Sequence, residues 1–143
     1  MVFDQIIGSE RLVARFGVWP SFHDAEVVRF VLDREGANGP TGEMTVHVWV
    51  MTGTVDSRGY YVLEKHTLVR FLFEQITSCQ FSDFNQQSVL FDLEIKAEAV
   101  DGEAAFSVVL DSSYGLDGSF VCGRIVIADV TPCDEKGQIP VKV

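Results

Sequence analysis

The chain has 143 residues, is 47% hydrophobic and 22% charged, and carries a formal net charge of −10. That length fits a single domain over residues 1–143, large enough to fold without a disulfide or metal staple. Acidity on this scale repels nucleic acid and anionic membranes and attracts basic partners, and no apolar run reaches the ~18 residues of a membrane-spanning helix.

The N-terminal stretch MVFDQIIGSERLVARFG has no basic start followed by an apolar block and a small-residue cleavage site. It reads as an amphipathic helix and not as a signal peptide, so the cytoplasm is the expected compartment. Phe3, Ile6, Ile7, Leu12 and Val13 recur near helical spacing, which predicts an amphipathic helix over 3–15. Gly8 weakens that helix and Gly17 is its stop. Pro20 then drives Trp19 out of the α region.

Strand patterns follow at 25–33, 43–51, 66–76, 88–99, 104–112 and 119–130. In the second, Val46, Val48 and Val50 alternate with Thr45, His47 and Trp49. In the third, Val69, Phe71 and Phe73 alternate with Leu68, Arg70 and Leu72. In the fourth, Val89, Phe91, Leu93 and Ile95 oppose Asp92, Glu94, Lys96 and Glu98. Residues 34–42 and 51–61 read as loops, and AVDG (99–102) and YGLDG (114–118) carry the Asp-Gly of tight hairpin turns. Short connections imply antiparallel neighbours. The expected fold is α+β: an N-terminal helix packed on a curved antiparallel β-sheet or open barrel of about six strands.

The densest cluster of polar and aromatic residues is GVWPSFHDAEV (17–27). Strand alternation puts Asp24 and Glu26 on the face of Val28, Phe30 and Leu32, the start of a stripe expected to enter the core. Two readings compete. One is an acid/base or metal site of His23, Asp24 and Glu26, joined by His47 or His66 across neighbouring strands. The other is a polar corner whose groups satisfy one another while Trp19, Pro20 and Phe22 pack the chain. The second is favoured, since three scattered histidines are ordinary and a hydrogen-bonded polar group needs no catalytic role.

Other chemistry is sparse. G-x-S-x-G, P-loop and H-E-x-x-H motifs are missing, so no cofactor and no metal is expected. Cys79, Cys122 and Cys133 are odd in number and lack C-x-x-C spacing; Cys122 reads as a buried small hydrophobe. Cys79 and Ser113 have no neighbouring base. In FSDFNQQS (81–88), Phe81 and Phe84 are expected to anchor a turn, with Gln86 and Gln87 free to bond strand edges. A small-molecule barrel lined by Trp49 and Phe71 is a third reading, favoured only by the aromatic, β-rich composition.

The last candidate is a surface. Residues 1–73 hold nine acids against seven Lys/Arg, and residues 74–143 hold twelve against four. Asp92, Glu94 and Glu98 share a strand face, with Asp101 and Glu103 in the next turn and Asp111 and Asp117 further on. Such a face either meets a basic protein or is simply solvated.

Four segments, GVWPSFHDAEVVRFVLDR (17–34), GYYVLEKHTLVRFLF (59–73), FNQQSVLFDLEI (84–95) and SYGLDGSFVC (113–122), give the chain a wider likeness. Through them it resembles the immunity protein 50 family of bacterial polymorphic-toxin systems. The resemblance implies a cytoplasmic, non-enzymatic protein that binds and neutralises a cognate toxin encoded beside it. It does not imply which residues touch the toxin.

Overall fold

The computed structural model describes residues 2–139; residue 1 and residues 140–143, the ends of the expected domain, lie outside it. The expected N-terminal helix is broken in two: a 3-10 turn over Val2–Gln5 and an α-helix, α1, over Ser9–Phe16. Gly8 makes the break. Its φ of +86° is a left-handed conformation, and a Cβ there would sit 2.8 Å from the Ile127 carbonyl oxygen. The break frees Ile7 to bond a sheet edge. Its N–H donates to the Ile125 carbonyl (3.0 Å), and its own carbonyl accepts from the Ile127 N–H (2.7 Å). Ile7 is therefore exposed, while Ile6 and Leu12 enter the core. Gly17 ends α1 as expected, at φ +83° with its N–H on the Val13 carbonyl.

Eight strands follow, more than the six expected: β1 Glu26–Asp33, β2 Thr41–Val55, β3 Tyr61–Glu74, β4 Ser78–Ser82, β5 Val89–Val100, β6 Glu103–Tyr114, β7 Asp117–Cys122 and β8 Arg124–Pro132. They form one sheet in the order β4-β7-β6-β5-β1-β2-β3-β8, every pair antiparallel. The two extra strands have identifiable causes. Gly123 splits the expected 119–130 strand, and the segment ahead of the FSDFNQQS turn bonds to β7. The expected 51–61 loop is mostly ladder; the turn proper is held by the Asp56 carboxylate, which accepts from the N–H groups of Arg58 (2.9 Å) and Tyr60 (3.0 Å).

The sheet does not close, yet it curls around one core. β3 runs through Gln75 (φ +60°) into β4, and β7 runs through Gly123 into β8. Since β3 pairs with β8 and β4 with β7, the two ends of the sheet are halves of one bent strand pair. The bend is bridged by backbone bonds from Gly123 N–H to the Glu74 carbonyl and from Thr77 N–H to the Val121 carbonyl, both 3.0 Å. At the same corner the Glu74 carboxylate is buried; Arg124 Nε lies 3.3 Å from one oxygen and Asn38 Nδ2 donates to the other at 2.7 Å. Each oxygen of this acid has a partner, which its burial requires.

The core is an aromatic chain inside the curl. Phe22 meets Phe71 (5.7 Å between ring centroids), Phe71 meets Phe73 (5.6 Å), Phe73 meets Phe120 (4.8 Å), and Phe30 and Phe81 close the far end (5.0 Å). Val69, Phe71 and Phe73 face inward as their alternation predicts. Two β-bulges overturn other expected faces. In β1 the register shifts at Val28, so Ala25, Val27 and then Phe30 turn toward the core, while Glu26 and Val28 turn outward. Glu26 therefore does not head a buried stripe. In β5 the register shifts around Phe91, so Leu90 is buried and Phe91 is 55% exposed. A bulge adds one residue to one strand and flips the alternation after it. Phe84, expected as an anchor, is 66% exposed in the β4–β5 connection; Phe81 does reach the core.

The corner carboxylate has a measurable consequence. Glu74→Ala leaves Asn38 and Arg124 without their shared acceptor, and is expected to lower unfolding free energy in urea by about 2 kcal/mol. Glu74→Gln keeps one acceptor and is expected to lose less.

Candidate functional site

The GVWPSFHDAEV stretch forms the junction where β1 meets β5. Trp19 stacks on Phe3 at 5.3 Å and meets Phe22 edge-on at 5.8 Å, so the aromatic half of the motif is wedged into the core. Asp24 takes a left-handed φ of +68°, and its N–H donates to the Leu90 carbonyl at 2.8 Å. Asp tolerates that conformation better than a branched residue. The His23 ring packs edge-on against Phe91, and Nδ1 donates to the Phe91 carbonyl at 2.9 Å. A carbonyl only accepts, so this bond fixes the proton on Nδ1 and turns Nε2 toward Asp24, 3.6 Å away. His23 and Asp24 thus come together, both about half exposed. Glu26 does not join them; it points outward and lies across the β1–β2 ladder from His47.

The three histidines do not converge. His47, 3% exposed, has Nε2 3.0 Å from His66 Nδ1, and Trp49 lies against both rings. The C-terminal turn covers the pair: a Cβ on Gly137 would sit 3.2 Å from His47 Nδ1, and the Cys133 N–H donates to the His66 carbonyl at 3.0 Å. Among the described residues no group of three His, Cys, Asp or Glu is placed to hold a metal ion. Nor do Trp49 and Phe71 line one cavity. Phe71 is wholly buried in the aromatic core, and Trp49 is partly exposed beside the histidines. The Cys122 thiol is buried, which pushes its pKa up to about 12, far from nucleophilic use.

The acidic residues do assemble. Asp92, Glu94 and Glu98 lie on the outward face of β5 with Lys96 among them. Asp92 stands directly opposite Asp111 on β6, and Glu103 opposite Val100 at the hairpin end. Asp101 occupies the turn itself at φ +52°, followed by Gly102 at +82°. Two successive positive φ values are the signature of the tight hairpin predicted for AVDG. β7 extends the acidic face: Glu94, Asp111 and Asp117, with Gln80, Ser82 and Ser119, line a shallow concavity of roughly 420 Å³. Among the described residues none of Asp92, Glu94, Glu98, Asp101, Glu103 or Asp111 is ion-paired. Like charges directly across a ladder destabilise it, so Asp92 opposite Asp111 contributes nothing favourable to the fold.

The sequence offered His47 and His66 only as companions of His23; their bond to each other depends on β2–β3 register and on the turn that covers it. The pair carries a pH dependence. Burial lowers the His47 pKa below the usual 6.5, as does His66; Glu26 and Asp134 pull it back by less. The unfolded chain therefore takes up a proton at His47 at higher pH than the folded chain, and stability falls as pH drops below that usual value. Melting followed by circular dichroism from about pH 7 to about pH 5 is expected to show a falling Tm, with a smaller fall in His47→Gln.

The chain has no match among curated proteins and none among solved structures. The family model described as Immunity protein 50 matches residues 8–133, which takes in α1, all eight strands and the acidic face. The junction motif and the strand segments that carried the likeness in the sequence all fall inside that span, and the chain belongs to the Immunity protein 50 family.

Proposed function

We propose that this protein binds a cognate toxin and neutralises it without catalysis, in the cytoplasm, through the acidic outer face of β5, β6 and β7. The observation that carries the reading is the set of carboxylates on one sheet face, unpaired among the described residues and held against their own repulsion. Clustered charge of one sign speeds encounter with a basic partner and discourages acidic ones. Family membership supports toxin binding in general. Asp92, Glu94, Glu98, Asp101 and Glu103 are the residues assigned to the contact, with Asp111 and Asp117 beside them. No helix among the described residues is long and apolar enough to cross a membrane.

The alternative, an acid/base or metal enzyme centred on His23, Asp24 and Glu26, has less support. His23 is engaged with the Phe91 carbonyl, Glu26 lies apart, and the backbone there serves to join β1 to β5.

The test is calorimetric titration with the toxin domain encoded beside this gene, with toxin activity assayed in parallel. Nanomolar binding, about −12 kcal/mol, with loss of toxin activity is expected. Reversing Asp92, Glu94 and Glu98 to Lys together should slow association at least about tenfold at low salt and flatten its salt dependence. Unchanged rates in the triple variant would remove this face as the main contact. No binding at high micromolar toxin would end the immunity reading.

A further inference from the structure

The sheet has an opening in its middle. β1 pairs with β2 along its whole length, from Glu26 to Asp33, but reaches β5 only at Glu26↔Val89. The last backbone bond on that side runs from Val27 N–H to the Ser88 carbonyl. From Val28 to Asp33, no strand among the described residues pairs with the outer edge of β1. Among the described residues β4 is likewise unpaired on the side away from β7.

The direction of the free backbone groups follows from the ladder. The Pro40 carbonyl accepts from Ile76 N–H, so even-numbered residues at the start of β2 turn their backbone toward β3. Gly42 and Met44 then turn away from β1, and their partners Leu32 and Phe30 turn their own N–H and C=O away from β2, into the opening. A groove runs along this edge. Val28 shares a concavity of roughly 900 Å³ with Phe84, Gln86 and Gln87. Leu32 shares one of roughly 220 Å³ with Phe81, Phe84 and Leu116, and another of roughly 240 Å³ with Ile76 and Cys79. Val28, Leu32 and Phe84 are each at least half exposed there. The edge of β8 differs: Ile7 bridges it at Val126.

We propose that this edge receives an extended strand of the toxin by β-strand addition, an inference that rests on the toxin-binding reading above. Unpaired backbone donors and acceptors of a strand edge are matched by another extended backbone, and alternate side chains of the added strand enter the pockets beside it. The pocket at Phe30, Leu32 and Phe84 is apolar, so the added strand carries apolar residues at alternate positions there, while Glu26, Asn85, Gln86 and Gln87 make the concavity beside Val28 mostly polar. The groove is acidic at its Glu26 end, while at the other end Asp33 and Arg34 line the concavity together. A basic residue flanking the apolar ones complements the Glu26 end. This contact supplies backbone hydrogen bonds and apolar burial, which the acidic face lacks.

The test is amide hydrogen exchange of the full chain, free and saturated with a catalytically inactive form of the neighbouring toxin domain, with complex formation confirmed by calorimetry. The Phe30 and Leu32 amides are expected to exchange at least about tenfold more slowly in the complex. Leu32→Lys, at an exposed position, is expected to keep its circular dichroism spectrum and lose affinity at least about tenfold. A formed complex with unchanged exchange at both amides overturns strand addition and leaves the immunity reading standing. Failure to form any complex overturns both. Protection that grows with protein concentration in the absence of toxin assigns the edge to a second copy of this chain and overturns the proposal.

Discussion

The architecture depends on one bend shared by two strands. An antiparallel sheet of eight strands, left to its ordinary twist, would expose one of its faces. Here β3–β4 and β7–β8 turn together at Gln75 and Gly123, and the pair folds the sheet back over its own apolar side. Backbone bonds across the bend keep the two strands in register through the turn. The buried Glu74 carboxylate, bonded by Asn38 from the β1–β2 connection and paired with Arg124 from β8, ties that connection to the corner. Without the bend, Phe73 and Phe120 would not meet, and the aromatic chain from Phe22 to Phe81 would lose its middle.

Curling the sheet by a bend leaves a seam. β1 and β5 approach only near Glu26 and Val89 and then diverge. The GVWPSFHDAEV junction sits where they touch, and its hydrogen bonds are the ones that hold them there: Asp24 to Leu90, Leu90 to Ala25, His23 to Phe91. This explains why the motif looks chemical. A left-handed aspartate and a histidine on a carbonyl are what a junction of two diverging strands needs. Below the junction the seam stays open along β1, and above it the Val2–Gln5 turn and Trp19 pack beside β5.

The two surfaces proposed to meet a partner have different physics. The acidic face acts at a distance and weakens with salt. The β1 edge acts only on contact, through directional hydrogen bonds and apolar pockets. β4 lies between them, with Gln80 and Ser82 toward the acids and Phe81 toward the groove, so a partner drawn in by charge arrives beside the open edge. The acidic face is not used by the core, whereas the groove shares Phe30, Phe81 and Leu116 with it, so the acidic face is the freer of the two to change without disturbing the fold.

Much of the fold was legible from local pattern. Alternation identified the inward residues of β3, Asp-Gly placed the β5–β6 turn, and the spacing of Asp92, Glu94 and Glu98 put three acids on one face. These are properties of a residue and its near neighbours, and period two survives wherever the ladder is regular. The sequence by itself therefore determined the antiparallel, α+β character, the acidic surface and the family likeness. What it could not determine are the features fixed by a partner strand: the bulges at Val28 and Phe91 that turned Glu26 and Phe91 outward, the His47–His66 bond, the buried Glu74, and the unpaired edge of β1. Each depends on register between segments far apart in the chain, and register is set by how the whole sheet closes over its core. Only the tertiary structure decides that, because the burial that selects one register over its neighbours exists only once the bend has brought the two ends of the sheet together.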